Sequence, residues 1–265
     1  MTDSAGTTSP IERNDAIKIV PLSLPDGLLQ LEVGPPAPRL TYRGGPLLTA
    51  VEVVTIFWGS AWQNPPLAGQ ATSLNQFFDF ILTSSFIDAL AEYDTPSLTI
   101  GHGRHTGTTT LTTPTPPSTV SDAAIQSLLQ NAISSGALPP ATANTLYFLY
   151  LPPGTVVSQG GGRSCLTFCG YHDATGNGLY YAVMPYAGCS GCTGGMSVLD
   201  ALTTVSSHEL AEAITDPVPG TGWYDDTHGE IGDICAWQTA KLGSFTVQLL
   251  WSNSRNACNG LAPAP

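Results

Sequence analysis

Cysteine is absent from the first 164 residues of this 265-residue chain, and basic residues are scarce throughout. Eight Lys and Arg stand against 20 Asp and Glu, a formal net charge of −12. Nothing in that balance neutralises phosphates, so nucleic acid is not an expected partner, and an anionic membrane surface repels the chain for the same reason. No apolar run approaches the ~20 residues that span a bilayer. The segment Met1 to Asp15 lacks a basic stretch followed by an apolar one, so no signal peptide is read there. Internal repeats are missing too. Charged residues make up only 11%, against a usual level of about 25%.

What is present is apolar and rich in turn formers. Hydrophobic residues reach 42%, which excludes a wholly disordered chain, and the length supplies a sizeable core. Low Lys, 28 Gly, 22 Pro and abundant Thr and Ser resemble exported bacterial proteins. The expected location is therefore secreted or extracellular, with the cytoplasm as the alternative. Six Cys lie between Cys165 and Cys258, an even number that permits three disulfides in any of 15 pairings.

Residues 1–40 read as an irregular leader or pro-segment, broken by Pro21, Pro25, Pro35, Pro36 and Pro38, ahead of one domain over 41–265. Buried strands are expected at 50–58, 145–151, 179–186 and 244–251, where β-branched and aromatic residues cluster. A Thr-rich strand pair is expected over 96–113. Helices are expected over 70–92 in two pieces, from Ser121 as N-cap, and from about Gly195 to Thr215. Alternating strands and helices predict an α/β fold with helices on the faces of a mixed sheet.

The segment Ser207-His-Glu-Leu-Ala-Glu-Ala-Ile-Thr-Asp-Pro217 carries the chemistry. His208 and Glu212 are one helical turn apart and share a face, so both reach one metal ion. Glu209 occupies the general-base position of the His-Glu-x-x-His metalloprotease pattern, in which Glu212 replaces the second His. A carboxylate ligates zinc but neutralises more of its charge, so a bound water is less acidified. The expected third ligand is Glu230 in Gly229-Glu-Ile-Gly-Asp233, with Asp233 as its supporting partner or in the exchanged role. Asp216 is a further ligand candidate whose place before Pro217 points to a helix-ending turn. The same helix is otherwise apolar, and ionisable groups on such a helix are costly to bury without a partner, which argues against a merely solvated face.

The chain resembles the plant EXORDIUM, or phosphate-induced, proteins and their bacterial relatives. The resemblance is carried in order by Tyr42-Arg-Gly-Gly-Pro-Leu-Leu48, Cys169-Gly-Tyr-His172, Cys189-Ser-Gly-Cys192, Ser207–Glu212, Trp223-Tyr224, Glu230–Cys235, Trp251 and Ala257-Cys258. It implies a zincin-like, usually extracellular domain, and some members lack the His-Glu motif that this chain retains.

Other constellations have competing readings. Cys165, Cys169, Cys189 and Cys192 have the spacing of a four-thiolate zinc site or of disulfides, and Cys235 most simply bridges to Cys258. His172, read in a Gly- and Cys-rich loop, is an oxyanion-stabilising candidate or a structural histidine. Asp173–Gly178 is a plain turn or, more weakly, a calcium loop. His102 and His105 are read as structural, His228 as an outside ligand candidate, and Asp225-Asp226 as a solvated turn. Trp223, Tyr224 and Trp237 line a groove or pack. The resulting expectation is a zinc-dependent endopeptidase acting on polypeptides, with Glu209 as general base and His172 assisting. A non-catalytic zincin-like binding or signalling protein is the alternative, and a carbohydrate-acting enzyme with paired carboxylates ranks third.

Overall fold

The computed structural model describes residues 19–22 and 37–259. Most of the expected leader, 1–18 and 23–36, lies outside the described residues. Its described remainder contributes one short strand, β1 (Ile19–Pro21), and the domain then opens with an extended segment at Thr41–Tyr42 that pairs with Trp223–Tyr224.

The main sheet is built from β1, β2 (Glu52–Trp58), β3 (Arg104–Leu111), β4 (Thr145–Tyr150), β5 (Phe168–Ala174) and β6 (Tyr180–Met184). Their order is β1-β5-β6-β4-β2-β3. The four strands β6, β4, β2 and β3 run parallel, whereas β5 is antiparallel to β6 and β1 to β5. The protein is thus mixed α/β. Three main helices cover the sheet: α1 (Leu67–Ile81), α2 (Asp122–Ser134) and α3 (Val198–Thr215).

Strand periodicity explains the two layers. On β4, Leu146, Phe148 and Tyr150 face the core shared with α1 and α3, while Tyr147 and Leu149 face the core under α2. Strand β2 splits likewise, with Val53 and Phe57 on one side and Val54, Ile56 and Trp58 on the other. Phe148 is fully buried, its ring 4.6 Å from Phe78, so truncation to Ala costs about 3–5 kcal/mol. Ser121 caps α2 by accepting from the Ala124 amide at 3.3 Å. Asp122 then accepts from the hydroxyls of Tyr171 (2.8 Å) and Tyr181 (2.9 Å), fastening α2 to β5 and β6.

Several expectations change. The Thr-rich segment 96–113 forms one strand, β3. The stretch before it is folded back because Thr95 Oγ1 accepts from the Leu98 amide and Asp94 from the Ile100 amide. The last strand divides at Leu249: β8 (Phe245–Gln248) pairs with β7 (Thr239–Leu242), and Leu250–Ser252 pairs with Ala257–Asn259. His172 sits on β5 rather than in a loop, because the turn lies farther on, at Thr175–Gly178.

The six Cys form Cys165–Cys189, Cys169–Cys192 and Cys235–Cys258. Every sulfur is paired, which leaves no thiolate for the four-Cys zinc site. Three disulfides fit an oxidising, extracellular environment. Among the described residues, no helix is long and apolar enough to cross a membrane.

Candidate metal centre

Helix α3 packs on β5, β6 and β8, and from Ala201 to Thr215 it is buried on every side. It starts at Ser197, whose Oγ accepts from the Asp200 amide at 3.1 Å. Its polar residues away from the motif are satisfied locally. Ser206 pairs with the Tyr150 hydroxyl at 2.7 Å, and Thr203 donates to the Thr246 carbonyl at 2.8 Å. Ser207 Oγ accepts from the Gln248 amide at 2.9 Å. His208, Glu209 and Glu212 therefore carry the unusual demand on this helix, each at most 1% exposed.

Two elements meet that demand. From β5, His172 brings Nδ1 to 3.0 Å from Glu209 Oε2 and 3.6 Å from Glu212 Oε2. From the loop 229–233, Asp233 lies with Oδ1 3.9 Å from His208 Nε2, while its amide donates to Glu212 Oε1 at 3.1 Å. His208 Nε2 is 3.0 Å from Glu212 Oε1 yet has no hydrogen-bond geometry to any partner. This spacing makes the pair an ion pair when His208 is protonated and leaves both atoms available as donors to a shared cation when it is neutral. The donor atoms of His208, Glu212 and Asp233 lie within 4.8 Å of one another, as do those of His172, Glu209 and Glu212. Tetrahedral ligands about 2.05 Å from zinc are roughly 3.3 Å apart, so small side-chain adjustments suffice.

Of the sequence-derived ligands, His208, Glu212 and Asp233 come together. Glu230 does not join that set: its Oε1 lies 3.5 Å from His172 Nε2, and its amide donates to Asp233 Oδ2 at 3.0 Å. Asp216 ends α3 and accepts from the amides of Gly220, Thr221 and Gly222 at 2.6, 3.0 and 2.6 Å, so its carboxylate is taken up by the turn. Gln248 went unnoticed in the sequence. Its Oε1 lies 3.0 Å from His208 Nδ1, and its Nε2 donates to the Gly232 carbonyl at 2.9 Å. This partner fixes the His208 tautomer with Nε2 free to ligate. A lone Gln on a strand carries no local signal of that role.

Gly232 lets the loop approach the motif. A Cβ there would sit 2.8 Å from both Glu212 Oε1 and His208 Nδ1. Gly229, at φ +88°, allows the preceding turn, and a Cβ there would collide with Asp233 Oδ2. The Cys235–Cys258 bridge closes the loop's far end.

The buried acids and imidazoles form one tightly interacting cluster, in which burial pushes the Glu212 carboxyl up but His208 and His172 outweigh it and hold it below its ordinary range. Glu209, Glu212 and Glu230 are 0–1% exposed, and the Asp233 side chain is 17% exposed. Among the described residues, the cationic partners facing them are the two imidazoles. Burial pushes Glu230 well above the ordinary carboxylate range, and Glu209 upward as well. Burial, then the Glu212 charge, raises Asp233 to about 7. For His172, burial alone lowers the pKa, but the Glu209 hydrogen bond and the Glu209, Glu212 and Asp216 charges outweigh it and lift it to about 9. His208 reaches about 10 by the same contest, with Glu212 foremost among the raising groups. Glu230 keeps both carboxylate oxygens without hydrogen-bond partners, and Glu209 keeps Oε1 so. Buried carboxylate oxygens without partners beside imidazoles are donor types that zinc accepts, so these residues could hold it.

The other singled-out residues stand apart. His105 is held between Asp79 (2.9 Å) and Thr55 (3.0 Å), His102 pairs with Asp88, and His228 with Asp225. Asp225 accepts from the amides of Arg39, Thr227 and His228, and Asp226 pairs with Arg43. Trp223 packs with Tyr42 and Tyr93 and donates to the Tyr93 carbonyl at 2.6 Å. Over Asp173–Gly178, the Asp173 carboxylate at the end of β5 accepts from the Ala174 amide, and Thr175 bonds Asn177 within the turn that follows.

No family model, no curated protein and no solved structure matches the chain.

Proposed function

We propose that the chain is a zincin-like, zinc-dependent endopeptidase of the extracellular space, with His208, Glu212 and Asp233 as the residues that hold the metal. The observation that carries this reading is the convergence of His208, Glu212 and Asp233 from α3 and the 229–233 loop, with Glu209 in the adjoining His172 set that shares Glu212. A mixed sheet with the motif helix against its antiparallel strand β5 fits the zincin-like assignment. The ordered resemblance to EXORDIUM proteins and the three disulfides support the extracellular one.

When bound, zinc would polarise a substrate carbonyl and acidify a water. The protein's own part falls to three groups. Glu209 takes the proton of the attacking water at Oε1, the oxygen without a protein partner. His172 positions Glu209 by holding Oε2 at 3.0 Å, and its other nitrogen lies 3.2 Å from the Asp216 carbonyl oxygen. Gln248 keeps His208 in its ligating tautomer. The test compares wild type, Glu209→Gln and His208→Ala against an unfolded polypeptide substrate at saturating zinc. Cleavage by wild type and its loss in Glu209→Gln with metal retained is the expected result; full activity in Glu209→Gln refutes the mechanism.

The site's closure favours one second reading, a non-catalytic binding protein that uses the metal structurally, because His172, His208, Glu209 and Glu212 are all 0–1% exposed. It predicts no proteolysis by the zinc-saturated protein and a large fall in thermal stability on chelation.

A further inference from the structure

Glu212 is used on both sides. Its Oε1 faces His208 and Asp233, and its Oε2 faces His172 and Glu209. We propose a second divalent-cation site formed by His172 Nδ1, Glu209 and Glu212 Oε2, so that Glu212 bridges a pair of cations. The inference rests on the metal-site reading above and extends it to a set of residues assigned there to proton transfer.

Three observations carry it. The donor atoms of His172, Glu209 and Glu212 lie within 4.8 Å of one another, the same closeness found in the first set. Glu209 is fully buried with Oε2 3.0 Å from His172 Nδ1 and Oε1 without a hydrogen-bond partner, so the carboxylate has unused donor capacity. The two histidines are also built alike. Each turns one nitrogen toward Glu212 and has its other nitrogen beside a protein acceptor: Gln248 Oε1 for His208, the Asp216 carbonyl and Glu230 for His172. Holding the far nitrogen fixes the near one as a lone-pair donor, which is how proteins orient ligating imidazoles. For His172 the holding group is the Asp216 carbonyl, with Glu230 Oε1 3.5 Å from the same nitrogen.

Four carboxylates, those of Glu209, Glu212, Glu230 and Asp233, crowd this buried region. Filling the second site engages Glu209, the proposed base. The first equivalent of metal therefore supports hydrolysis and the second suppresses it.

The test is calorimetric titration of the chelator-stripped full-length protein with zinc chloride, with bound zinc counted by elemental analysis after desalting. Wild type is expected to take two equivalents, the second more weakly. His172→Ala and Glu209→Gln are expected to take one, and Glu212→Gln to weaken both by at least tenfold. Glu209→Gln is close in shape and guards against a misfolded His172→Ala; far-ultraviolet circular dichroism checks both. One equivalent in wild type, or two undiminished in both His172→Ala and Glu209→Gln, overturns the second site. Loss of all binding in His208→Ala with one equivalent in wild type leaves the first site standing, and zero equivalents in wild type removes both.

Discussion

Gly232→Ala isolates the demand that the proposed metal centre makes on its covering loop. Gly232 has φ −82° and ψ −38°, a conformation that alanine adopts freely, so the change adds no backbone strain. What it adds is a methyl group 2.8 Å from Glu212 Oε1, 2.8 Å from His208 Nδ1 and 2.9 Å from His208 Cε1. Ordinary contact begins near 3.4 Å, so the loop or both ligand side chains must yield by about 0.6 Å. Overpacking of this kind costs about 1–3 kcal/mol. If the displacement falls on the ligands, zinc affinity drops by about 5- to 150-fold, since each 1.4 kcal/mol is a factor of ten. The assay is calorimetric zinc titration beside thermal unfolding with and without zinc. Gly69→Ala in α1 is the control: nothing lies within 4 Å of its added Cβ, and a helical Gly→Ala change stabilises by roughly 0.5–1 kcal/mol. Wild-type zinc affinity in Gly232→Ala refutes the placement of this loop on the metal ligands.

Four further outcomes are expected. Gln248→Leu removes the acceptor 3.0 Å from His208 Nδ1 and should weaken zinc binding about 10- to 100-fold, measured by competition with a chromogenic chelator. The metal-free protein should lose stability as pH rises, because raised pKa values mean that the folded state binds protons more tightly than the unfolded one: for Asp233 between 3.8 and about 7, for His172 and His208 from 6.5 up to about 9 and 10. Zinc displaces those same protons, so its affinity should climb with pH and its binding should release protons, read as a buffer-dependent calorimetric enthalpy. Opening the Cys235–Cys258 bridge, whose residues are 23 apart, should cost about 3 kcal/mol by loop entropy and weaken zinc binding through the freed 229–235 loop, a result read from Cys258→Ser by denaturant unfolding.

The legible parts of the sequence were those with a strong local period. The helix bearing His208 was readable because His208 and Glu212 recur at helical spacing in an apolar run, and β2, β4 and β6 because β-branched and aromatic residues fill them. The segment 96–113 misled because Thr-rich composition signals strand but does not show that Asp94 and Thr95 side chains fold its first half into a turn. The division at Leu249 depends on two different pairing partners, which no local pattern encodes. Within the site, the pair Glu230 and Asp233 was found, but their roles follow from the 3₁₀ turn at Asp233–Cys235, which aims Asp233 at His208 and leaves Glu230 beside His172. Gln248 and the approach at Gly232 are purely tertiary.

The irregular feature of the motif, a carboxylate where the metalloprotease pattern has its second histidine, is also the one the geometry uses most. A carboxylate offers two oxygens on opposite sides of one carbon, and Glu212 spends Oε1 on the His208 side and Oε2 on the His172 side. An imidazole at 212 presents one lone pair when neutral, so it can serve one side only. Glu212→His would complete His-Glu-x-x-His and keep the first cation, with a neutral ligand that acidifies the attacking water more strongly. The same change deletes the bridge and should reduce zinc stoichiometry from two to one. A variant that is more active at low zinc and no longer inhibited at high zinc would show that Glu212 is retained for the second cation rather than for catalysis by the first. Two equivalents retained in Glu212→His would show instead that His172, Glu209 and Glu230 suffice without it.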